Sequence, residues 1–310
     1  MPSMEGGGVE KNIIIITNYL SKFINDIELI TFDNKFNRFF NKKIKIINFG
    51  NHSKTKVNKY YKYFVCLYLL IKRILNNNET YIFSFQANVY CIFIALLFNK
   101  KIITRSNSSP SGWSKNFIKN LIFKVLFKYP DKIIVNSENF RKEFVKLFSI
   151  NPKMIYNPLN KSEILKKAKI KTNDVFFSKK NCLKIINVSR FTDQKDHLTL
   201  LKAFKIVKEL TPSRLLLIGY GAKKFEIIDF IKKNKLQKNV KLINFTFNPY
   251  KYMAKSDLFI LTSLYEGLPN VLLESIVLKK YIISSNCPTG PSEILKKGKY
   301  GELFPVKNYR

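Results

Sequence analysis

Short apolar, β-branched runs alternate with segments of helical spacing from one end of the chain to the other. "DIELITF" (26–32), "KIKIINF" (43–49), "TYIFSF" (80–85), "KIITR" (101–105), "DKIIVNS" (131–137) and "KMIYN" (153–157) predict strands. Residues 59–75, 88–98, 114–128 and 138–148 predict the helices between them. Continuous apolar strands separated by helices imply a parallel sheet covered on both faces. The pattern pauses in the lysine-rich stretch around Pro158 and restarts with "LKIINVS" (183–189), "RLLLIG" (214–219), "NVKLINF" (239–245), "DLFILT" (257–262) and "YIISS" (281–285). Helices are predicted over 196–209, 222–235 and 269–278. The expected organisation is a Rossmann-like domain over 1–160, a linker over 161–181 and a second Rossmann-like domain over 182–310, the two facing across a cleft.

The segment "GGGVEKNIIIITNYLSKF" (6–23) is ambiguous, because four consecutive isoleucines favour a strand. Ile13, Ile16, Leu20 and Phe23 share one helix face, and a helix is the reading taken.

Length and composition narrow the class. A chain of 310 residues suits two domains, and 25% charged with 14% aromatic residues argues against disorder. Cys66, Cys91, Cys182 and Cys287 have no CxxC or Cys/His spacing and read as reduced core residues. The apolar run at 89–98 is about half of the roughly 20 residues a membrane span needs. The net charge of +34 accompanies an excess of Lys, Asn and Ile throughout, as an A/T-rich coding sequence gives. No zinc spacing, RNP-like stretch or basic arm supports a nucleic-acid partner, so an anionic membrane surface is the better counterpart.

Candidate chemistry begins at "TSLYEGLPNVLLES" (262–275), where Glu266 and Glu274 lie eight positions apart in an apolar setting. Such carboxylates must be paired, hydrogen-bonded or protonated. The helix starting near Pro269 offers the N–H groups of Asn270 and Val271 to an anion, and the acids beside them suit hydroxyl donors. A nucleotide sugar carries both kinds of group. Two solvated glutamates are the alternative for an isolated pair. In "NVSRFTDQKDHLTLLKAF" (187–204), however, Arg190 and Lys195 also follow a strand end and suit a diphosphate.

These segments carry a resemblance. "VSRFTDQKDHLTLLKAF", "LLLIGYG", "SLYEGLPNVLLES" and "SSNCPTGPSEIL" (284–295) resemble, in order, the motifs of retaining glycosyltransferases of the GT4 family, which have the two-domain GT-B fold. "GGGVEKN" and "DKIIVNSENF" are similar to that family as well. The resemblance implies that Arg190 and Lys195 bind the donor diphosphate, Glu274 the ribose hydroxyls and Glu266 the hydroxyls of the transferred sugar. Around them, Gly267, Leu268, Asn270 and Val271 complete the donor cradle, and Gly6, Gly7 and Gly8 approach the phosphates from the first domain. It implies retention at the anomeric carbon and no metal or other cofactor, and no Asp-x-Asp pair occurs.

The chain departs from the family where a histidine often stands near the donor sugar: "SFQANVY" (84–90) has Gln86 and Asn88 instead, and both are expected to contact the acceptor. His52 lies in a polar loop and His197 at a helix start, where capping or packing is expected. Tyr220 replaces a frequent acid. Acceptor contacts are expected in "TRSNSSPSGWSK" (104–115), from Arg105, Asn107, Ser108 and Trp113. The following helix sets Lys115, Lys119, Lys124 and Lys128 around apolar residues. It either covers the sheet or rests on the inner leaflet.

The implied function is hexosyl or N-acetylhexosaminyl transfer from a nucleotide sugar, UDP-linked by expectation, to a saccharide or lipid-linked saccharide in capsule, O-antigen or lipopolysaccharide assembly. The implied place is the cytoplasm, with peripheral contact on the inner face of the membrane. A GT-B-fold epimerase and a basic membrane- or nucleic-acid-binding protein without enzymatic activity are the alternatives. Only "MPSME" precedes Gly6, and the chain stops at "GELFPVKNYR". The first strand of the N-terminal sheet and the C-terminal helices of the family are therefore expected to be missing, and the natural protein to be longer.

Overall fold

The computed structural model describes residues 1–4, 6–49, 57–77, 79–108, 110, 116–172, 174–177 and 181–310. The chain forms two compact units, Met1–Pro158 and Leu159–Arg310.

The first unit runs α1 (Gly8–Leu20), β1 (Glu28–Ile30), β2 (Lys45–Ile47), α2 (Lys59–Asn76), β3 (Ile82–Ser84), α3 (Asn88–Leu97), β4 (Ile102–Ser106), α4 (Phe117–Leu126), β5 (Lys132–Val135), α5 (Glu138–Phe148) and β6 (Lys153–Met154). Strands β3-β4-β5-β6 form one parallel sheet, and β1 and β2 pair in parallel as a second. Residues 1–4 run beside β1. The terminal ammonium donates to Ile30 O at 2.7 Å and Phe32 N donates to Pro2 O at 3.4 Å, while Ser3 N reaches Gln86 Oε1 at 3.2 Å.

The isoleucine run does form a helix. Its buried positions include Asn12, Ile13 and Thr17, whereas Phe23, expected on the same face, lies beyond the helix end and is exposed. Helix α5 shows the apolar spacing at work: Ser137 Oγ accepts from Phe140 N, and Phe140, Phe144 and Phe148 at i, i+4 and i+8 enter the core. There Phe127, Phe144 and Phe148 pack ring against ring at 5.4–5.8 Å, over Ile133 and Val135 of β5.

The second unit runs α6 (Lys161–Ala168), β7 (Leu183–Val188), α7 (His197–Leu210), β8 (Ser213–Ile218), α8 (Lys224–Lys233), β9 (Val240–Ile243), α9 (Tyr250–Met253), β10 (Leu258–Leu261), α10 (Asn270–Val277), β11 (Tyr281–Ser285), α11 (Pro291–Ile294) and β12 (Glu302–Phe304). Its six strands are parallel in the order β12-β11-β10-β7-β8-β9. Alternate residues of the central strands enter different cores. Ile185, Leu215 and Leu217 pack with Leu201 and Phe204 of α7, and Ile186, Leu216 and Ile218 with Leu272 of α10. Both faces are therefore covered, which is why these strands read as unbroken apolar runs.

Residues 161–181, expected as a linker, are part of this unit. Asn160 caps α6 through Glu163 N at 3.1 Å, Ile164 is buried in the core, and Phe177 follows it there from a 3-10 turn. Leu159 and Ala168 pack against the same core, so three apolar residues among lysines dock this two-turn helix, a pattern too short to register in the sequence. The short elements α9, α11 and β12 escaped for the same reason.

Candidate active site

Strands β7 and β10 are neighbours, yet the chain leaves β7 for β8 and β9 before returning to β10. At such a switch point the loops beyond the strand ends part toward different helices and leave a crevice. The loops after β7 (189–196) and β10 (262–269) meet there. Leu264 N donates to Gln194 O and Gln194 Nε2 to Tyr265 O, each at 2.8 Å. Thr262 Oγ1 lies 2.9 Å from both Lys195 O and Asp196 O. Across this seam Lys195 Nζ forms an ion pair with Glu266 Oε1, which also accepts from Ser263 Oγ.

The sequence reading gave Lys195 to a diphosphate and Glu266 to sugar hydroxyls as separate tasks; the structure binds them to each other. Their side chains are 12% and 7% exposed, so each is the main answer to the other's burial cost.

Close packing fixes both loops. A Cβ at Gly219 would sit 1.9 Å from Ser189 O, and one at Gly221, with φ +148°, 2.2 Å from Phe191 O. Phe191 N donates to Tyr220 O at 2.7 Å and Lys223 N to Phe191 O at 2.9 Å, so the "GYG" turn holds the backbone on either side of Arg190. Arg190 itself is exposed. On the other loop, Thr289 Oγ1 donates to Glu266 O and Ser285 Oγ to Ser263 O at 2.6 Å. Gly290, with φ +88°, lies against Gly267, a Cβ there meeting Gly267 O at 2.0 Å.

Pro269 is the N-cap of α10 rather than its first residue, and Asn270 and Val271 head the helix, where the dipole presents its positive end. Leu268 and Asn270 are buried; Gly267 and Val271 are half-buried. Glu274, 2% exposed, accepts from Tyr250 Oη at 3.2 Å.

His197 is buried here as well. Asn187 Nδ2 donates to Ile260 O at 2.7 Å, so its Oδ1 is the acceptor for Ser189 Oγ, also at 2.7 Å. Ser189 Oγ then accepts from His197 Nε2 at 3.0 Å. This directs a neutral imidazole with the proton on Nε2, the buried Nδ1 making no hydrogen bond. Burial, with the charge of Lys195 behind it, pushes the imidazole down to about 3. The ring packs edge-on against Phe191 at 5.0 Å.

In the first unit, Gly6 has φ +96°, Gly7 caps α1 and Gly8 opens it. Glu10 is buried in the first turn with Oε2 only 2.9 Å from where a Gly7 Cβ would be, so an acid lies against the turn expected to meet phosphates. Gln86 Oε1 accepts from Ser3 N, and Asn88 bridges Ser84 Oγ (2.8 Å) and Arg105 O (3.1 Å). Both do structural work where direct ligand contact was expected. Arg105 is 1% exposed, its Nη2 donating to Ile155 O and Asn157 Oδ1 at 3.1 Å, and burial pulls its guanidinium down to about 10. Asn107 Nδ2 donates to Phe85 O at 3.2 Å. Thr104 Oγ1, Arg105 Nε, Ser106 Oγ, Asn107 Oδ1 and Asn136 Oδ1 are buried there without hydrogen bonds. Ser108 follows β4, while Trp113, His52 and Lys115 lie outside the described residues.

Ser263, Thr289, Gly290 and Tyr250 are the residues that sequence reasoning missed. Gly290 before Pro291 was a turn signal within a quoted motif; Tyr250 gave none.

The geometry matches known proteins. A profile described as Glycosyl transferases group 1 matches residues 169–310. The chain is 29% identical over 321 residues (99% of this chain, 85% of the relative) to an N-acetylgalactosamine-N,N'-diacetylbacillosaminyl-diphospho-undecaprenol 4-alpha-N-acetylgalactosaminyltransferase of Campylobacter jejuni. It is 32% identical over 273 residues (82% and 67%) to an uncharacterized glycosyltransferase of Methanocaldococcus jannaschii. The structure of HepE from Anabaena, in complex with UDP and glucose, superposes with a TM-score of 0.75 at 16% identity over 99% of this chain and 84% of that one. The α/β units with parallel sheets are those of the GT-B fold. The chain belongs to the glycosyl transferases group 1 family.

Proposed function

We propose that this glycosyltransferase moves a hexosyl or N-acetylhexosaminyl group from a UDP-linked donor to a saccharide or lipid-linked saccharide in surface polysaccharide assembly, with retention and without a metal. The observation that carries the reading is the convergence of the Arg190–Lys195 loop and the 262–274 segment at the switch point.

In this reading the exposed Arg190 takes the diphosphate together with the N–H groups heading α10, and Lys195 adds positive charge while orienting Glu266. Glu274 accepts from the ribose hydroxyls and Glu266 from those of the transferred sugar. The bond from the anomeric carbon to the β-phosphate oxygen breaks with its electron pair on phosphate, where the cations and N–H dipoles stabilise the growing charge. The acceptor oxygen bonds to the same carbon, and its proton leaves with UDP. Two cations and a helix end supply the charge that a metal supplies elsewhere.

UDP and UDP-glucose complexes of structural neighbours support the nucleotide, and the undecaprenol-linked, amylovoran and O-antigen activities named for relatives support the acceptor class. The buried polar atoms without hydrogen bonds around the end of β4, on Thr104, Ser106 and Asn107, support an acceptor subsite near Asn107 and Ser108. A cytoplasmic place, on the side where UDP-sugars are made, follows from the donor.

The test is UDP release from labelled UDP-sugars with a saccharide acceptor, alongside thermal shift with UDP. A melting temperature unmoved by UDP and by every UDP-sugar would overturn the reading.

A further inference from the structure

Arg190 is exposed, but the residues on either side of it are held by a single imidazole. Before it, Ser189 Oγ accepts from His197 Nε2 at 3.0 Å. After it, the fully buried Phe191 ring packs edge to face against His197, with centroids 5.0 Å apart. His197 is the first residue of α7, so the end of the loop 189–196 closes back on its beginning. Asp196, at φ +43°, fixes where that helix starts by accepting from Thr199 N at 3.2 Å and Thr199 Oγ1 at 2.7 Å. The place of the imidazole is fixed with it.

Hydrogen bonds run one way through this group. His197 Nε2 donates to Ser189 Oγ, whose proton goes to Asn187 Oδ1, and Asn187 Nδ2 donates to Ile260 O of β10. Each bond in such a chain polarises and strengthens the next. The chain joins the start of α7 to the seam between β7 and β10, and Arg190 lies in the span it braces. Packing alone does not call for an imidazole here. Phenylalanine would offer the same ring to Phe191 without burying a nitrogen that makes no hydrogen bond, as His197 does with Nδ1. What phenylalanine lacks is the donor to Ser189.

We propose that His197 is the positioning residue for Arg190: its Nε2 proton holds Ser189, its ring holds Phe191, and the two together aim the guanidinium at the donor diphosphate. This deepens the donor-site reading and rests on the diphosphate assignment of Arg190. Aim matters because a misplacement of about 1 Å at such a group can cost about a hundredfold in rate.

The test is a set of double-mutant cycles on the full chain, read as UDP affinity by calorimetric titration. His197→Phe keeps a ring and loses the donor, Ser189→Ala keeps the imidazole and loses its acceptor, and His197→Gln returns an N–H at about the reach of Nε2. With Arg190 present, His197→Phe and Ser189→Ala are each expected to weaken UDP by about three- to tenfold, the loss of one hydrogen bond's worth of order. With Arg190→Ala in the background the same changes should cost less than about twofold, because the group they aim is gone. His197→Gln should stay within about twofold of wild type. Melting temperatures confirm folding, and Ser189→Ala, at a half-buried position, carries the test should His197→Phe not fold. Equal losses with and without Arg190 assign the imidazole to packing and overturn the proposal, as does unchanged UDP affinity in both His197→Phe and Ser189→Ala. If Arg190→Ala alone leaves UDP affinity intact, the diphosphate reading of Arg190 falls and takes the proposal with it; if Arg190→Ala weakens UDP and the losses simply add, the proposal falls and that reading stands.

Discussion

Lys195 and Glu266, 71 residues apart in sequence, are joined in a nearly buried ion pair that ties the loop after β7 to the loop after β10. Removing one member leaves the other charged and enclosed. Lys195→Ala is therefore expected to cost about 3 kcal/mol of stability, as broken buried pairs do. It should also lower transfer by about a hundredfold. Arg190→Ala, at an exposed position, should lose comparable activity with stability kept within about 0.5 kcal/mol. Chemical denaturation beside single-turnover transfer separates the two; equal stability losses would contradict the structure.

Glu274 and Glu266 should fail differently. Glu274→Gln is expected to weaken binding of UDP itself by about 1.5–3 kcal/mol, the worth of a hydrogen bond to a charged group. Glu266→Gln should spare UDP and slow transfer. Tyr250→Phe, which removes the donor 3.2 Å from Glu274 Oε1, should weaken UDP less than Glu274→Gln does. Calorimetric titration with UDP ranks the three; equal UDP affinity in Glu274→Gln and wild type would remove Glu274 from the nucleotide site.

Gly290→Ala places a methyl group 2.0 Å from Gly267 O at a positive φ, and backbone must move to admit it. The expected cost is about 1–3 kcal/mol. Because the displaced carbonyl follows Glu266, transfer should fall further than melting temperature does. Unchanged turnover would show that the 266–268 turn is not held from this side.

The burial of His197 predicts how stability depends on pH. In the unfolded chain it takes up a proton near 6.5, whereas in the fold it resists until about 3. Between these values the unfolded state binds the extra proton. Stability is therefore fully present above 6.5 and falls as pH drops, by up to about 1.4 kcal/mol per unit. Asp174, held below the ordinary carboxylate range although burial opposes it, acts only below about pH 4. His197→Gln should flatten the slope between pH 4 and 6.5, as read by urea titration across that range. An unaltered slope would assign it to other groups.

What the sequence disclosed followed the reach of each signal. Periodicity disclosed every helix of ten or more residues, α10 and the strands β1 to β11, because continuous apolar runs and i, i+3, i+4 spacing reflect burial directly. It did not disclose α9, α11 or β12, which have only three or four residues each, nor α6, whose eight residues are mostly polar. Arg190, Lys195, Glu266 and Glu274 were legible as candidate residues, but the Lys195–Glu266 pairing was not, since a contact across 71 residues leaves no local trace. Arg105 misled for a related reason: its strand-end position suggests a ligand, while its three carbonyl-type acceptors come from residues 155–157.

The central seam of the second sheet is thinly stitched by backbone. β7 registers with β8 over six residue pairs but with β10 over only two, Ile185 with Leu258 and Ile186 with Phe259. Asn187 Nδ2, donating to Ile260 O, adds one link within the strands, and Gln194, Lys195, Thr262 and Glu266 add more beyond their ends. The half-sheet β10-β11-β12 can thus breathe against β7-β8-β9 along one line, with the candidate catalytic groups serving as its clasp. A donor that draws these groups together closes the line, so amide exchange should slow along β7 and β10 when UDP binds, well away from the atoms it touches.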